Sequence, residues 1–359
     1  MSDDAAGSSA AEKGLGAGGP AGFASFEDSD TSAVRKLQGF LHRFPTAIPF
    51  FVLLFGVLVF SVIAGGRFFA PFNLSLVLQQ VTIIGVLGIA QTLIILTAGI
   101  DLSVGAIMIL SSIVMGRLSV VAGVPVEISF VIGLATGVLC GLINGLLVAL
   151  VRLPPFIVTL GTWSIYGAMV IFISRSETIR SQDIEAVAPL LQWLGSSIKL
   201  GGGAILTYGS ILMIAVAVSV WYILNHTAFG RHVYATGDDP EAARLAGINT
   251  TATLIATYTL AGFICALASW VLIGRIGAVS PLGSQTANLD AITAVVIGGT
   301  SLFGGRGSIV GTLIGALIVG VFRNGLALAG VDVLWQEFAV GALIIVAVTI
   351  DQWIRKIST

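Results

Sequence analysis

Apolar residues along this chain run in long unbroken blocks, without the two-residue alternation of a half-buried strand or the three-to-four-residue spacing of a soluble helix. Blocks long enough to cross roughly 30 Å of hydrocarbon fall at 47–64, 78–98, 101–122, 127–151, 155–174, 205–224, 250–273, 308–328 and 334–354. A tenth, at 290–303, is short and glycine-rich, flanked by Asp290 and the turn Gly304-Gly305-Arg306-Gly307. It predicts a broken span. In lipid each segment must satisfy its own backbone hydrogen bonds, so the blocks predict helices. The pattern therefore predicts an all-α polytopic membrane protein of about ten transmembrane helices, with the membrane domain over 46–359.

Polar stretches set the rest of the organisation. Residues 1–45 are rich in Gly, Ala, Ser and Asp and short of large apolar side chains, which predicts a disordered tail. A secretory signal places a basic segment directly before a short apolar core near the start. Here the first apolar run begins only around Ala47, so that run reads as a retained helix. With the N-terminus inside, Lys13, Arg35, Lys36, Arg43, Arg152, Arg231, Arg244, Arg306, Arg355 and Lys356 fall on the cytoplasmic side, and Arg67, Arg117, Arg175, Arg180, Lys199 and Arg275 outside. The excess of basic residues places both termini in the cytoplasm. It also makes 174–200 a periplasmic loop and 225–249 a cytoplasmic one. The outer loop holds the apolar patch Leu190-Leu191-Gln192-Trp193-Leu194. It reads either as a solvated connector with one interfacial helix or as a docking surface for an external protein.

Composition supports the membrane reading. Hydrophobic residues make up 56% and charged residues 10%, against about 25% charged in a soluble domain. The 45 glycines suit close approach of membrane helices. A formal net charge of -1 excludes the basic stripe needed to neutralise nucleic-acid phosphates. Cys140 and Cys265 lie in apolar runs and read as small buried hydrophobes.

Both halves carry a glycine-interrupted polar segment, Thr97–Gly105 and Gly298–Gly305. Paired interruptions of this kind are the sequence trace of inverted repeats in transporters. In the inner loop, Asp239 can N-cap a short helix with Pro240 at its first position and Glu241 at the positive end of the dipole, stopped by Gly247. Ala242, Ala243 and Ala246 then form a small-residue face. Asp101 has two readings: N-cap of the third span, or a carboxylate that gates a path or contacts a solute. A neutral, hydroxyl-rich solute needs polar, mostly uncharged groups. Gln79, Gln80, Gln91, Ser103, Asn144, Thr159, Thr162, Trp163 and Asn324 supply them within or beside spans. Each also has the plainer role of an interhelical hydrogen bond. Arg323 either snorkels to the interface or pairs with Asp332 or Glu337.

Four motifs extend this reading: TAGIDLSVG at 97–105, LPPFIVTLG at 153–161, GRHVYATGDDPEAARLAG at 230–247 and AVVIGGTSLFGGRG at 294–307. Together, in one order from about residue 45 to the C-terminus, they resemble the permease subunits of ribose, xylose, arabinose and fructose importers of the ATP-binding-cassette class. Fructose-import permeases are the most similar, through Gly274-Arg275-Ile276-Gly277, Asp238–Ala243 and Ile350–Lys356. The resemblance implies a homodimer with a central path for a monosaccharide, in the bacterial inner membrane. It also implies cytoplasmic ATPase subunits and a periplasmic sugar-binding protein. It assigns ATPase coupling to Arg231, Asp238, Asp239, Glu241, Ala242, Ala243, Arg244 and Gly247. No Gly-x4-Gly-Lys-Ser/Thr phosphate loop occurs in the chain, so ATP and Mg are expected on the partner ATPase and no cofactor here. A proton-coupled secondary transporter is the alternative; it needs a titratable group at mid-membrane, for which Asp101 and Asp290 are the candidates. An intramembrane enzyme is disfavoured, since His42, His226 and His232 all fall outside the spans.

Overall fold

The computed structural model describes residues 47–283 and 286–355; the 1–45 tail lies outside the described residues. In chain order the elements are α1 (Ala47–Ala64), α2 (Pro71–Leu96), α3 (Val104–Gly116, continued by a π turn over Arg117–Val121), α4 (Val126–Ala149) and α5 (Pro155–Ser174). There follow α6 (Ser181–Val187), a 3-10 segment (Pro189–Gly195), β1 (Ser197–Gly201), β2 (Ala204–Thr207) and α7 (Tyr208–His226). The chain closes with α8 (Ala228–Asp238), α9 (Pro240–Leu245), α10 (Thr250–Ile276), α11 (Ala287–Ile297), α12 (Ile309–Leu328) and α13 (Val333–Arg355). Among the described residues eight helices are long and apolar enough to cross a membrane. α13, with 23 residues, fills the last predicted position. α11 has 11 residues, about 16 Å, and is the broken span.

α2 forms the centre. Every residue from Val81 to Leu96 is buried, and the helix packs against α10, α11, α12 and α7. Its hydroxyls are absorbed locally or by neighbours: Thr92 donates to the Gly88 carbonyl at 2.8 Å and meets Thr312 at 2.6 Å, and Thr82 meets Ser210 at 2.9 Å. Lipid supplies no hydrophobic drive between helices, so close packing must hold the bundle. The tightest seam joins α4 to α10. Gly137 and Gly141 lie against Gly262 and the Tyr258 carbonyl so closely that a methyl at either position would strike backbone. Apolar side chains left exposed gather on the outer faces of α1, α4, α5 and α7, including Phe55, Leu139, Phe172 and Val218.

Two ends can be told apart by contact. The basal end carries the 97–98, 234–239 and 304–307 backbone, where Gly305 N–H donates to the Leu96 carbonyl at 3.0 Å and the Tyr234 hydroxyl to the Gly307 carbonyl at 2.9 Å. The apical end carries 175–207 and 275–283, tied by an Ile179–Val279 bridge and by Gln192 donating to the Gly277 carbonyl at 2.9 Å.

The structure corrects three expectations. The 174–200 segment is no solvated connector: Ile184, Ala188, Leu191 and Leu194 are buried in the core, leaving Trp193 half-exposed, and a short hairpin follows it. The two glycine-broken segments meet, Gly305 N–H donating to the Leu96 carbonyl, and both turn sharply, with positive φ at Ala98, Gly299, Gly304 and Gly305. Asp101 does not N-cap the third span; Ser103 holds that position and α3 begins at Val104. Arg323 does not snorkel. It pairs with Glu337 at 3.0 Å, as one expectation had it, and with Asp290 at 2.8 Å, while Asp332 caps Leu334 instead.

Candidate functional site

At the basal end, α9 is built by its first residue. The Asp239 carboxylate accepts from the Glu241 and Ala242 N–H groups at 2.9 and 3.0 Å. Pro240, lacking an N–H, both ends α8 and opens α9. Gly247, at φ +86°, closes it, with Ile248 N–H returning to the Ala243 carbonyl at 3.0 Å. Glu241 and Arg244 face solvent and pair with each other at 2.6 Å. Arg244 beside it holds the Glu241 carboxyl below the usual carboxylate range. The expected small-residue face is split: Ala243 is buried, and Ala242 and Ala246 remain exposed beside Leu245. Leu245, 77% exposed, went unnoticed in the sequence reading because a single leucine in a polar loop carries no pattern. Arg231 and Asp238 are also exposed.

α8 carries this helix on the bundle. Thr227 caps it, accepting from Gly230 N–H at 3.3 Å, and it buries Gly230, Val233, Thr236 and Gly237 against α2 and α10. Gly237 sits on the end of α2, where a side chain would land on the Leu96 carbonyl.

Beyond Leu96 the chain leaves helical geometry and re-enters the bundle as an irregular segment. Five of the seven path candidates gather there. Asp101 Oδ1 accepts from the Ser103 N–H and hydroxyl, each at 2.6 Å. Asn144 Nδ2 donates to the Ser103 hydroxyl at 2.8 Å and to Asp101 Oδ2 at 3.3 Å. The Tyr166 hydroxyl donates to Asn144 Oδ1 at 3.3 Å and to the Cys140 carbonyl at 3.0 Å. Thr159 donates to the Ile100 carbonyl at 3.0 Å. The Gln91 amide clasps the Asp101 backbone, donating to its carbonyl at 3.1 Å and accepting from its N–H at 3.2 Å. All five are buried, and among the described residues no cation pairs with Asp101.

This arrangement satisfies irregular backbone at membrane depth with side chains, which is the condition for its existence there. It also closes that part of the bundle to any solute in this conformation. Trp163 and Asn324 lie elsewhere: Trp163 is 44% exposed on the outer face of α5, and Asn324 exchanges amide hydrogen bonds with Asn73 at 2.9 and 3.0 Å. Of the other polar groups, Thr162 is buried on α5, and Gln79 lines a small cavity with Thr82, Thr207 and Arg275. Tyr166 was missed because a tyrosine in an apolar run reads as packing.

Residues 73–348 match the family model described as branched-chain amino acid transport system / permease component. The chain is 58% identical over 335 residues to the fructose import permease protein FrcC of Rhizobium meliloti, covering 93% of each chain. It is 38% identical to the ribose import permease protein RbsC of Bacillus subtilis, covering 85% of this chain and 92% of that one. With the D-allose transport system permease protein AlsC of Escherichia coli it shares 33% identity, over 86% of this chain and 91% of the other. No solved structure matches. A multi-pass bundle with a capped helix standing off one end, and this likeness along nearly its whole length, make one family: the chain belongs to the sugar-import permeases of the ATP-binding-cassette importers.

Proposed function

We propose that this permease passes a monosaccharide, fructose before ribose or another pentose or hexose, across the bacterial inner membrane, driven by ATP hydrolysed on a partner. The chain works as a homodimer with both termini in the cytoplasm, so the basal end faces the ATPase and the apical end a periplasmic sugar-binding protein. The observation that carries this reading is α9. A six-residue helix, capped at both ends and standing on the bundle with Leu245, Ala242 and Ala246 exposed, is built as a plug for a groove. ATP and Mg belong to the partner, and its closure displaces α9 as a rigid body. The bundle then rocks between outward and inward access. Arg231, Asp238, Asp239, Glu241, Ala242, Ala243, Arg244 and Gly247 form or brace the coupling surface. Gln91, Asp101, Ser103, Asn144 and Thr159 form the closed region that must rearrange for sugar to pass, with Trp163 on the face open to the second subunit and Asn324 towards the apical end.

Leu245→Asp tests the coupling surface. It places a charge where an apolar side chain enters the groove, and is expected to release the co-expressed ATPase on affinity purification while the permease accumulates normally. An ATPase that co-purifies undiminished contradicts this use of α9.

A further inference from the structure

Three separated stretches meet at one carbonyl. Leu96 O, at the end of α2, accepts from Gly305 N–H at 3.0 Å. Gly237 of α8 lies against the same oxygen with no room for a side chain. Gly304 is wedged beside it, its hydrogen pointing where a methyl would come within 2.9 Å of Ala98. Around the contact, the Tyr234 hydroxyl ties α8 to the Gly307 carbonyl at 2.9 Å, and Ser301 N–H closes the 301–306 loop on the Arg306 carbonyl at 2.8 Å. The chain beyond Leu96 turns at once, with Ala98 in the left-handed region at φ +60°, a backbone conformation that a residue with a Cβ adopts only when its surroundings impose it. Three residues further lies Asp101.

We propose that this junction transmits the movement of the coupling helix to the Asp101 cluster, with Gly237 and Tyr234 as its positioning residues. The inference rests on the reading of α9 given above and adds the route from α9 to the closed region. Backbone meets backbone at Gly237 and Leu96, so no compressible side chain absorbs a displacement of α8. Thr97, Ala98 and Gly99 close the last turn of α2, their N–H groups donating to the Ile94 and Ile95 carbonyls, whereas side chains hold 100–102: Thr159, Gln91, and Asn288, which donates to the Leu102 carbonyl at 3.2 Å. Segment 100–102 can therefore exchange these bonds for others while α2 and α3 stay helical. A shift of α8 moves Leu96 and the 301–307 turn together, re-sets Ala98, and releases Asp101 from Ser103 and Asn144.

The test is made on the complete importer, permease with its own ATPase and sugar-binding protein, reconstituted in liposomes. ATP hydrolysis and labelled-fructose uptake are measured together for the parent, Tyr234→Phe, Gly237→Ala and Thr136→Ala. The Thr136 hydroxyl bonds only its own helix, to the Ile132 carbonyl, and serves as the control. Expected are hydrolysis within about twofold of the parent and uptake reduced about tenfold in Gly237→Ala and several-fold in Tyr234→Phe, so that sugar moved per ATP falls. Thr136→Ala changes neither rate. Tyr234→Phe removes one oxygen and no volume, so it decides the matter if Gly237→Ala fails to accumulate. An unchanged ratio of sugar to ATP in Tyr234→Phe, whether both rates hold or fall in parallel, overturns the proposal. A parent importer that takes up fructose without ATP defeats the functional reading instead.

Discussion

Asn144 shows how one side chain can hold an irregular piece of backbone inside a membrane. Its amide serves Asp101, Ser103 and Tyr166 together. Asn144→Ala leaves Asp101 Oδ2 and the Ser103 hydroxyl oxygen without a donor, Ser103 still donating to Asp101 Oδ1, and Tyr166 with only the Cys140 carbonyl. Leaving buried polar groups unpaired costs about 1–3 kcal/mol, read as a lower midpoint of thermal denaturation in detergent. Thr136→Ala serves as the comparison: that hydroxyl bonds only its own helix, to the Ile132 carbonyl, on an exposed face, and its loss shifts stability by under about 0.5 kcal/mol. Arg323 makes a second case, since it neutralises Asp290 and Glu337 at once. Arg323→Gln strands the nearly buried Asp290 carboxylate and costs about 3 kcal/mol, and adding Asp290→Asn recovers much of that loss in a double-mutant cycle. The residues of both clusters stood out in the sequence as polar groups in apolar runs. Glu337 was legible as a partner of Arg323, but Asp290 and Tyr166 were not legible as partners, because pairing between distant spans leaves no periodic signal.

Among elements, the coupling helix was the most legible, since capping is local chemistry. Asp239, Pro240 and Gly247 announce its start and stop within nine residues, and each does what its type predicts. Asp239→Ala removes the cap, which is worth about 1 kcal/mol, and is expected to fray α9 and weaken ATPase association without lowering permease abundance. The Glu241–Arg244 pair is solvent-exposed. Because Arg244 holds the Glu241 carboxyl below its ordinary value, whatever the pair contributes is present above the unfolded carboxylate range near about pH 4. It is lost only as pH falls through the lower folded value. Association of the ATPase is therefore expected to be flat from about pH 6 to about pH 8, and a titration in that window would assign it to other groups. The start of α2 was less legible. Asn73, Ser75, Gln79 and Gln80 interrupt the apolar run, so the block reads from residue 78, yet the helix begins at Pro71. Asn73 bonds Asn324 and the Phe68 carbonyl, and Ser75 the Pro71 carbonyl, which removes the cost of placing them there. The segment before β1 was misjudged for a related reason: its buried leucines are too few and too close to show a period.

For the whole molecule, block length was a faithful guide because the hydrocarbon thickness sets it, and the ten apolar blocks recur as helices in order. What block length cannot give is how broken spans meet, which depends on glycines admitting backbone to backbone. The proposed orientation predicts that a cysteine at Lys199 is labelled by a membrane-impermeant thiol reagent from the periplasmic side of intact cells. One at Ala246 is labelled only after the membrane is opened. Both positions are exposed, and the native Cys140 and Cys265 are buried. The central claim, ATP-driven import of a monosaccharide, is met most directly by initial-rate uptake of labelled fructose, ribose, xylose and glucose in cells with and without this chain. Each rate is taken before and after osmotic shock to strip periplasmic proteins, and with an uncoupler while ATP is maintained. The account predicts that uptake of one sugar, fructose, requires the chain, withstands the uncoupler and collapses after shock. Uptake that persists through shock and disappears with the proton gradient would contradict it and identify a proton-coupled carrier.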